Sequence, residues 1–182
     1  MSQFPDNLNP GTAADIKSHY LLVGSIFAPP DRHLVTTVLG SCVSVCLWDA
    51  VHRRGGINHF MLPLWNGDGL ASPKYGNIAI AKLIAKLGEL GSAKRDLRAK
   101  IFGGGVVLNM TSPFMNIGER NIQLAEDILK AEQISIISAD TGGRLGRKLI
   151  FDTESGAVFV KKLTKPVDDV RLSAWEIRFN HR

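Results

Sequence analysis

The chain has 182 residues, with 22 Lys and Arg against 17 Asp and Glu, a net charge of +5 and a pI near 9.4. A composition of 45% hydrophobic and 21% charged residues is that of one soluble globular domain with a sizeable core. No apolar run reaches the length of a membrane span, and Met1–Asp15 lacks the basic and apolar regions of a secretory leader. Two cysteines separated by Val43-Ser44-Val45 do not form a disulfide framework, so a reducing cytoplasm is the expected compartment. The basic residues are dispersed in modest clusters at Arg53-Arg54, Lys94–Lys100, Arg144–Lys148 and Lys161–Lys165, without a nucleic-acid motif. Neither nucleic acid nor membrane insertion is expected.

Residues 1–18 are polar and carry Pro5, Pro10 and Gly11, which reads as a flexible extension. Tyr20–Phe27 is a first apolar strand, closed by Ala28-Pro29-Pro30. Leu34–Leu39 is β-branched and strand-like, Gly40-Ser41 interrupts it, and Val43–Trp48 and Gly55–Leu62 are two further short strands. Trp65-Asn66-Gly67-Asp68-Gly69 is a loop at the end of the third of these, a candidate rim for substrate binding. Ile80, Leu83, Ile84, Leu87 and Leu90 share a helical stripe within Tyr75–Leu90, with Asn77 as candidate start cap and Gly91 suited to the end. Leu97–Phe102 is a strand feeding Gly103-Gly104-Gly105, a run without the Lys-Ser/Thr of a phosphate loop. A close approach of backbone to backbone under a loop explains those glycines better than a nucleotide.

Val106–Leu108 continues as strand and Thr111–Asn116 is a loop. A second amphipathic helix is expected from about Glu119 to Gln133, then strands at Ile134–Ala139, Lys148–Asp152 and Ala157–Lys161. The tail carries Trp175, Ile177 and Phe179 in alternation, a pattern open to packing, mobility or partner binding. Strands before and after two separated helices predict an α+β or mixed α/β fold in one domain, residues 19–165, followed by a tail at 166–182.

The chemistry-bearing stretch is Leu34–Pro63, which holds both cysteines and two of the five histidines. Cys42 directly follows the Gly40-Ser41 turn, where a side chain is presented and where backbone N–H groups can face a developing oxyanion. If the two strands after it form an antiparallel hairpin, a two-residue loop pairs Cys42 with His59. A register moved by two keeps them diagonal on one face, and a slip by one separates them. A cysteine beside a histidine is the minimum for thiol catalysis; two buried cysteines and a core histidine are the structural alternative. A metal site from Cys42, Cys46, His52 and His59 is disfavoured, because C-x-x-x-C is not a common zinc spacing.

Thr36…Gly40-Ser41-Cys42…Gly55-Gly56…His59…Leu62-Pro63 resembles the bacterial chemoreceptor glutamine deamidases, the CheD family of chemotaxis. Lys100–Gly104, Ile117–Asn121 and Asp140–Arg144 with Gly146-Arg147 are similar to further signatures of that family, so the likeness runs from about Tyr20 to Leu163. The resemblance implies a layered α-β-β sandwich and a catalytic triad of Cys42, His59 and Thr36. The implied reaction is hydrolysis of protein glutamine side chains to glutamate and ammonia through a cysteine thioester, without cofactor or metal. The implied substrate is the cytoplasmic helical domain of chemoreceptors, and a CheC-type chemotaxis phosphatase is an implied partner. Only the resemblance selects Thr36 over Thr37, because Gly40 breaks the parity between this strand and Cys42. The competing function is a non-catalytic module that binds receptor or phosphatase. Other cysteine hydrolases, such as a transglutaminase or a protease, share the nucleophile and differ in releasing an amine adduct or a cleaved peptide.

Overall fold

The computed structural model describes residues 16–106 and 117–163. The readings for the N-terminal extension up to Asp15, for Thr111–Asn116 and for the tail from Thr164 on fall outside these residues, and that for Val106–Leu108 falls largely outside them.

Two sheets stack, and two helices cover one of them. The first sheet has the order β1 (Lys17–Tyr20), β3 (His33–Leu39), β8 (Arg147–Asp152), β9 (Val158–Lys162). The second has the order β2 (Ser25–Phe27), β5 (Arg54–His59), β4 (Val43–Asp49), β6 (Leu97–Gly103), β7 (Ser135–Thr141). Pairing is antiparallel except for β1 with β3 and β6 with β7. Helices α1 (Gly76–Glu89) and α2 (Ile117–Ala131) pack on the five-stranded sheet.

The alternation of β4 explains the layering. Val43, Val45 and Leu47 enter a core with Ile80, Leu83 and Leu87 of α1 and Ala125 and Leu129 of α2. Cys46 points the other way, into a second core with Val35, Leu39, Ile57, Phe102, Leu149 and Phe151 between the sheets. A strand buried on both faces reads as a nearly unbroken apolar run, as VSVCLW does. The architecture is therefore the layered α-β-β arrangement expected of the chain.

Three local expectations shift. The apolar run Tyr20–Phe27 is not one strand: β1 and β2 belong to different sheets, and the chain crosses between them at Gly24, whose φ is +74°. A Cβ there would sit 2.9 Å from Lys74 Cγ, so glycine serves both the turn and the close contact. Asn77 lies inside α1 and accepts from the Trp65 amide at 3.1 Å, so it anchors the preceding loop rather than capping the helix. Gly91, by contrast, ends α1 as expected, with φ +94°. Helix α2 starts and stops two residues before its expected bounds.

Candidate active site

The β4–β5 hairpin pairs Asp49 with Arg54 and Cys46 with Ile57, and Val43 bridges Phe60 in the same register. The reversal is therefore a four-residue loop, Ala50–Arg53, and the register is displaced by two from that of a two-residue loop. Continued one residue, it sets Cys42 opposite Met61 and diagonal to His59 on one face. Diagonal neighbours lie on the order of 7 Å apart at Cβ, a gap that a thiol and an imidazole together can span. That face looks toward the four-stranded sheet, since Cys46 and Ile57 enter the inter-sheet core.

His59 is 4% exposed and stands where β5 is flanked by β2 and β4. Its Nδ1 lies 2.8 Å from Thr37 Oγ1, across the gap between the sheets. The same oxygen donates its proton to the Leu21 carbonyl at 2.9 Å. A carbonyl can only accept, so the hydroxyl proton is committed there. The contact with His59 is then closed by Nδ1–H as donor, which leaves the lone pair on Nε2. Burial pushes the His59 pKa down to about 4, so the ring is neutral at physiological pH. A neutral imidazole with a fixed tautomer and a bare Nε2 is equipped to take a proton from a thiol.

The hydroxyl that reaches His59 is that of Thr37, whereas the resemblance implied Thr36. In β3, Val35, Thr37 and Leu39 are buried between the sheets, whereas Leu34, Thr36 and Val38 alternate to the outer face. Thr36 contributes through its backbone instead: its carbonyl accepts the Leu21 amide at 2.8 Å, which steadies the carbonyl that orients Thr37. Leu21 is legible in the sequence only as an apolar residue of the first strand; its role comes from the crossover at Gly24.

Cys42 is half-buried and Cys46 fully buried. Burial drives the Cys46 thiol well above its ordinary pKa, against a smaller opposing effect of Lys100, so it is inert as a nucleophile at neutral pH. His52 bonds Asp49 within the hairpin loop, at the end of β4 remote from Cys42. Among the described residues no cluster of three His, Cys, Asp or Glu could hold a metal.

The glycine run cradles the Gly40–Cys42 turn, as its composition suggested. Gly104 N–H donates to the Cys42 carbonyl and Gly105 N–H to the Gly40 carbonyl, each at 2.8 Å. A Cβ on Gly103 would lie 2.2 Å from the Cys42 carbonyl oxygen, and its φ is +107°. Arg147 holds this cradle from the other sheet. Its guanidinium donates to the carbonyls of Gly103 at 2.8 Å and Gly142 at 2.6 Å and meets Asp140 at 3.1 Å. It is 2% exposed and begins strand β8, so this member of the basic cluster Arg144–Lys148 is a buried charge. Arg144 of the same cluster is exposed.

A family model for CheD chemotactic sensory transduction matches residues 61–162. A protein of Trichlorobacter lovleyi named "Probable chemoreceptor glutamine deamidase CheD" is 48% identical over 80% of this chain and 90% of its own length. The protein of the same name from Sulfurimonas denitrificans is 45% identical over 83% of this chain and 97% of its own. One from Anaeromyxobacter dehalogenans, named "Probable chemoreceptor glutamine deamidase CheD 1", is 40% identical over 79% of this chain and 84% of its own. The chain belongs to the CheD family. The stretch matched by the family model contains the glycine cradle, α2 and Arg147. It begins after Thr37, Cys42 and His59. Among the described residues no helix is long and apolar enough to cross a membrane.

Proposed function

We propose that this chain deamidates glutamine side chains of chemoreceptors, with Cys42 as nucleophile, His59 as base and acid, and Thr37 as the residue that positions His59. The observation that carries the site is the bond between Thr37 Oγ1 and His59 Nδ1, with the hydroxyl proton already given to Leu21. Family membership and the names of the relatives support the reaction.

Nε2 of His59 takes the Cys42 thiol proton as sulfur attacks the carboxamide carbon. The tetrahedral adduct collapses as Nε2 returns that proton to nitrogen; the C–N bond breaks, ammonia leaves and a thioester remains. Nε2 then takes a proton from water, whose oxygen attacks the thioester, and gives it to the departing sulfur. One water is consumed and glutamine becomes glutamate. A threonine hydroxyl orients an imidazole but offers no charge to stabilise an imidazolium, so the arrangement is weaker than one ending in Asp.

The substrate segment is the cytoplasmic helical domain of the receptor, and a CheC-type phosphatase binds the same chain. Exposed Leu22, Val23, Met61 and Leu64 support docking of an amphipathic helix: Met61 stands opposite Cys42, and Leu22-Val23 follow the carbonyl that holds Thr37. The cytoplasm is the compartment this substrate requires. The test is incubation with a receptor cytoplasmic fragment, read by peptide mass spectrometry for amide-to-acid conversion and by ammonia release. Conversion that needs Cys42 is expected; receptor binding without any conversion would overturn the enzymatic reading in favour of a binding module.

A further inference from the structure

Asn121 sits in the second turn of α2 and is fully buried. Its Nδ2 donates to two carbonyls from different parts of the candidate site: Ser41 at 3.3 Å and Met61 at 3.0 Å. Two carbonyls facing one amide nitrogen also fix the amide's orientation, since the flipped form would set oxygen against oxygen. Its Oδ1 has no hydrogen-bond partner among the described residues, so the side chain works through its donors.

The placement of these carbonyls gives the contact its meaning. Ser41 contributes the carbonyl of the peptide that enters Cys42, and Cys42's own carbonyl is held by Gly104 N–H at 2.8 Å. Both peptide planes flanking the nucleophile are thereby fixed, and with them the direction of its Cα–Cβ bond. Met61 lies two residues beyond His59, on the segment that continues the base strand. One side chain thus ties the nucleophile turn to the base strand. The seating of the helix makes this reach possible. A Cβ on Gly118 would lie 2.5 Å from the Gly104 carbonyl oxygen, so α2 rests directly on the glycine cradle.

We propose that Asn121 is a positioning residue that sets the approach of Cys42 to His59. The proposal rests on the roles given to those two residues above. It is tested on the full chain with Asn121→Leu and Asn121→Asp, which keep the side-chain size and remove the donors. Two readouts are taken: kcat and KM for deamidation of a receptor fragment, and the rate of Cys42 alkylation by iodoacetamide against pH. Each is also measured in a His59→Asn background. The expected result is a fall in kcat of about 10–100-fold with KM changed less than about 3-fold. Alkylation near neutral pH should slow toward the His59→Asn rate, and the Asn121 substitution should add less than about 2-fold once His59 is Asn.

Wild-type kcat and alkylation in both folded variants would overturn the proposal. So would equal slowing of alkylation in both backgrounds, which would assign Asn121 to general packing. If neither variant folds, Asn121→Ser, which leaves one donor, is measured in the same way, with the same outcomes deciding. Cys42→Ala separates the two levels. Deamidation by Cys42→Ala would refute the site itself, whereas an inactive Cys42→Ala beside normal Asn121 variants would refute only this inference.

Discussion

Thr37 Oγ1 lies 2.8 Å from His59 Nδ1, while the side chain of Thr36, one residue earlier, is on the opposite face of the same strand. The prediction is a reversal of the resemblance-based choice. Thr37→Val keeps shape and β-branching but removes the hydroxyl, so His59 loses its orienting partner and the Leu21 carbonyl its donor. Deamidation should fall by about one to two decades, the equivalent of a bond worth about 1–3 kcal/mol. Thr37→Ser should retain more activity, and Thr36→Val should be close to wild type. Rates for the three variants, with thermal melts to verify folding, check this; a larger loss at Thr36 than at Thr37 would refute it.

The two cysteines should separate cleanly. Cys42→Ala should abolish deamidation with a near-normal melt, because Cys42 stands at a turn and not in a core strand. Cys46→Ala should keep the chemistry and lose about 1–2 kcal/mol of stability through a small cavity between the sheets. Peptide mapping after iodoacetamide treatment of the native protein at neutral pH should find label on Cys42 alone. Label on Cys46 instead would reverse the assignment.

Stability should carry the signature of a histidine buried in its neutral form. The unfolded chain protonates His59 near pH 6.5 and the folded protein only near pH 4. Between those values the unfolded state binds more protons, so stability falls as pH falls, by up to about 3 kcal/mol from this residue. His19, whose pKa is lowered by burial and by the nearby His33, acts in the same direction. Asp49 and Asp152, both with lowered pKa, act only as pH drops below the ordinary carboxylate range. Urea denaturation from pH 7 to pH 4.5 should therefore show a slope that shrinks in His59→Gln and shrinks further when His19→Gln is added. An unchanged slope in His59→Gln would mean that the ring is not held neutral.

Gly103 should tolerate no side chain. Gly103→Ala drives a Cβ to 2.2 Å from the Cys42 carbonyl oxygen, at a φ of +107°. A clash with backbone and a strained φ together should cost more than about 3 kcal/mol. Gly142→Ala is the matched control: its φ is +69°, but nothing lies within 4 Å of the added carbon, so about 1 kcal/mol of strain is expected. Melting temperatures of the two variants decide it; equal melts would remove the cradle argument.

Much of this site is legible in the amino-acid sequence. Both amphipathic helices, the hairpin after Gly40-Ser41 and the backbone role of Gly103–Gly105 follow from periodicity and from what glycine permits. The parity of β4 and β5 restricts Cys42 and His59 to one shared face in either even register, and the four-residue loop selects the diagonal one. Periodicity, however, reports which residues of one element share a face and not which face meets another element. Thr36 and Thr37 are equivalent by composition, and the turn at Gly40 resets the alternation before Cys42. Only the stacking of the four-stranded sheet on the five-stranded one chose Thr37. The same stacking split Tyr20–Phe27 between two sheets, so that Leu21 could hold the threonine hydroxyl. It also buried Arg147, whose charge reads as surface until the three oxygens of the other sheet and its adjoining turn close around it. Local chemistry determined the candidate residues; contacts between distant parts of the chain, which no local pattern encodes, determined which of them meet.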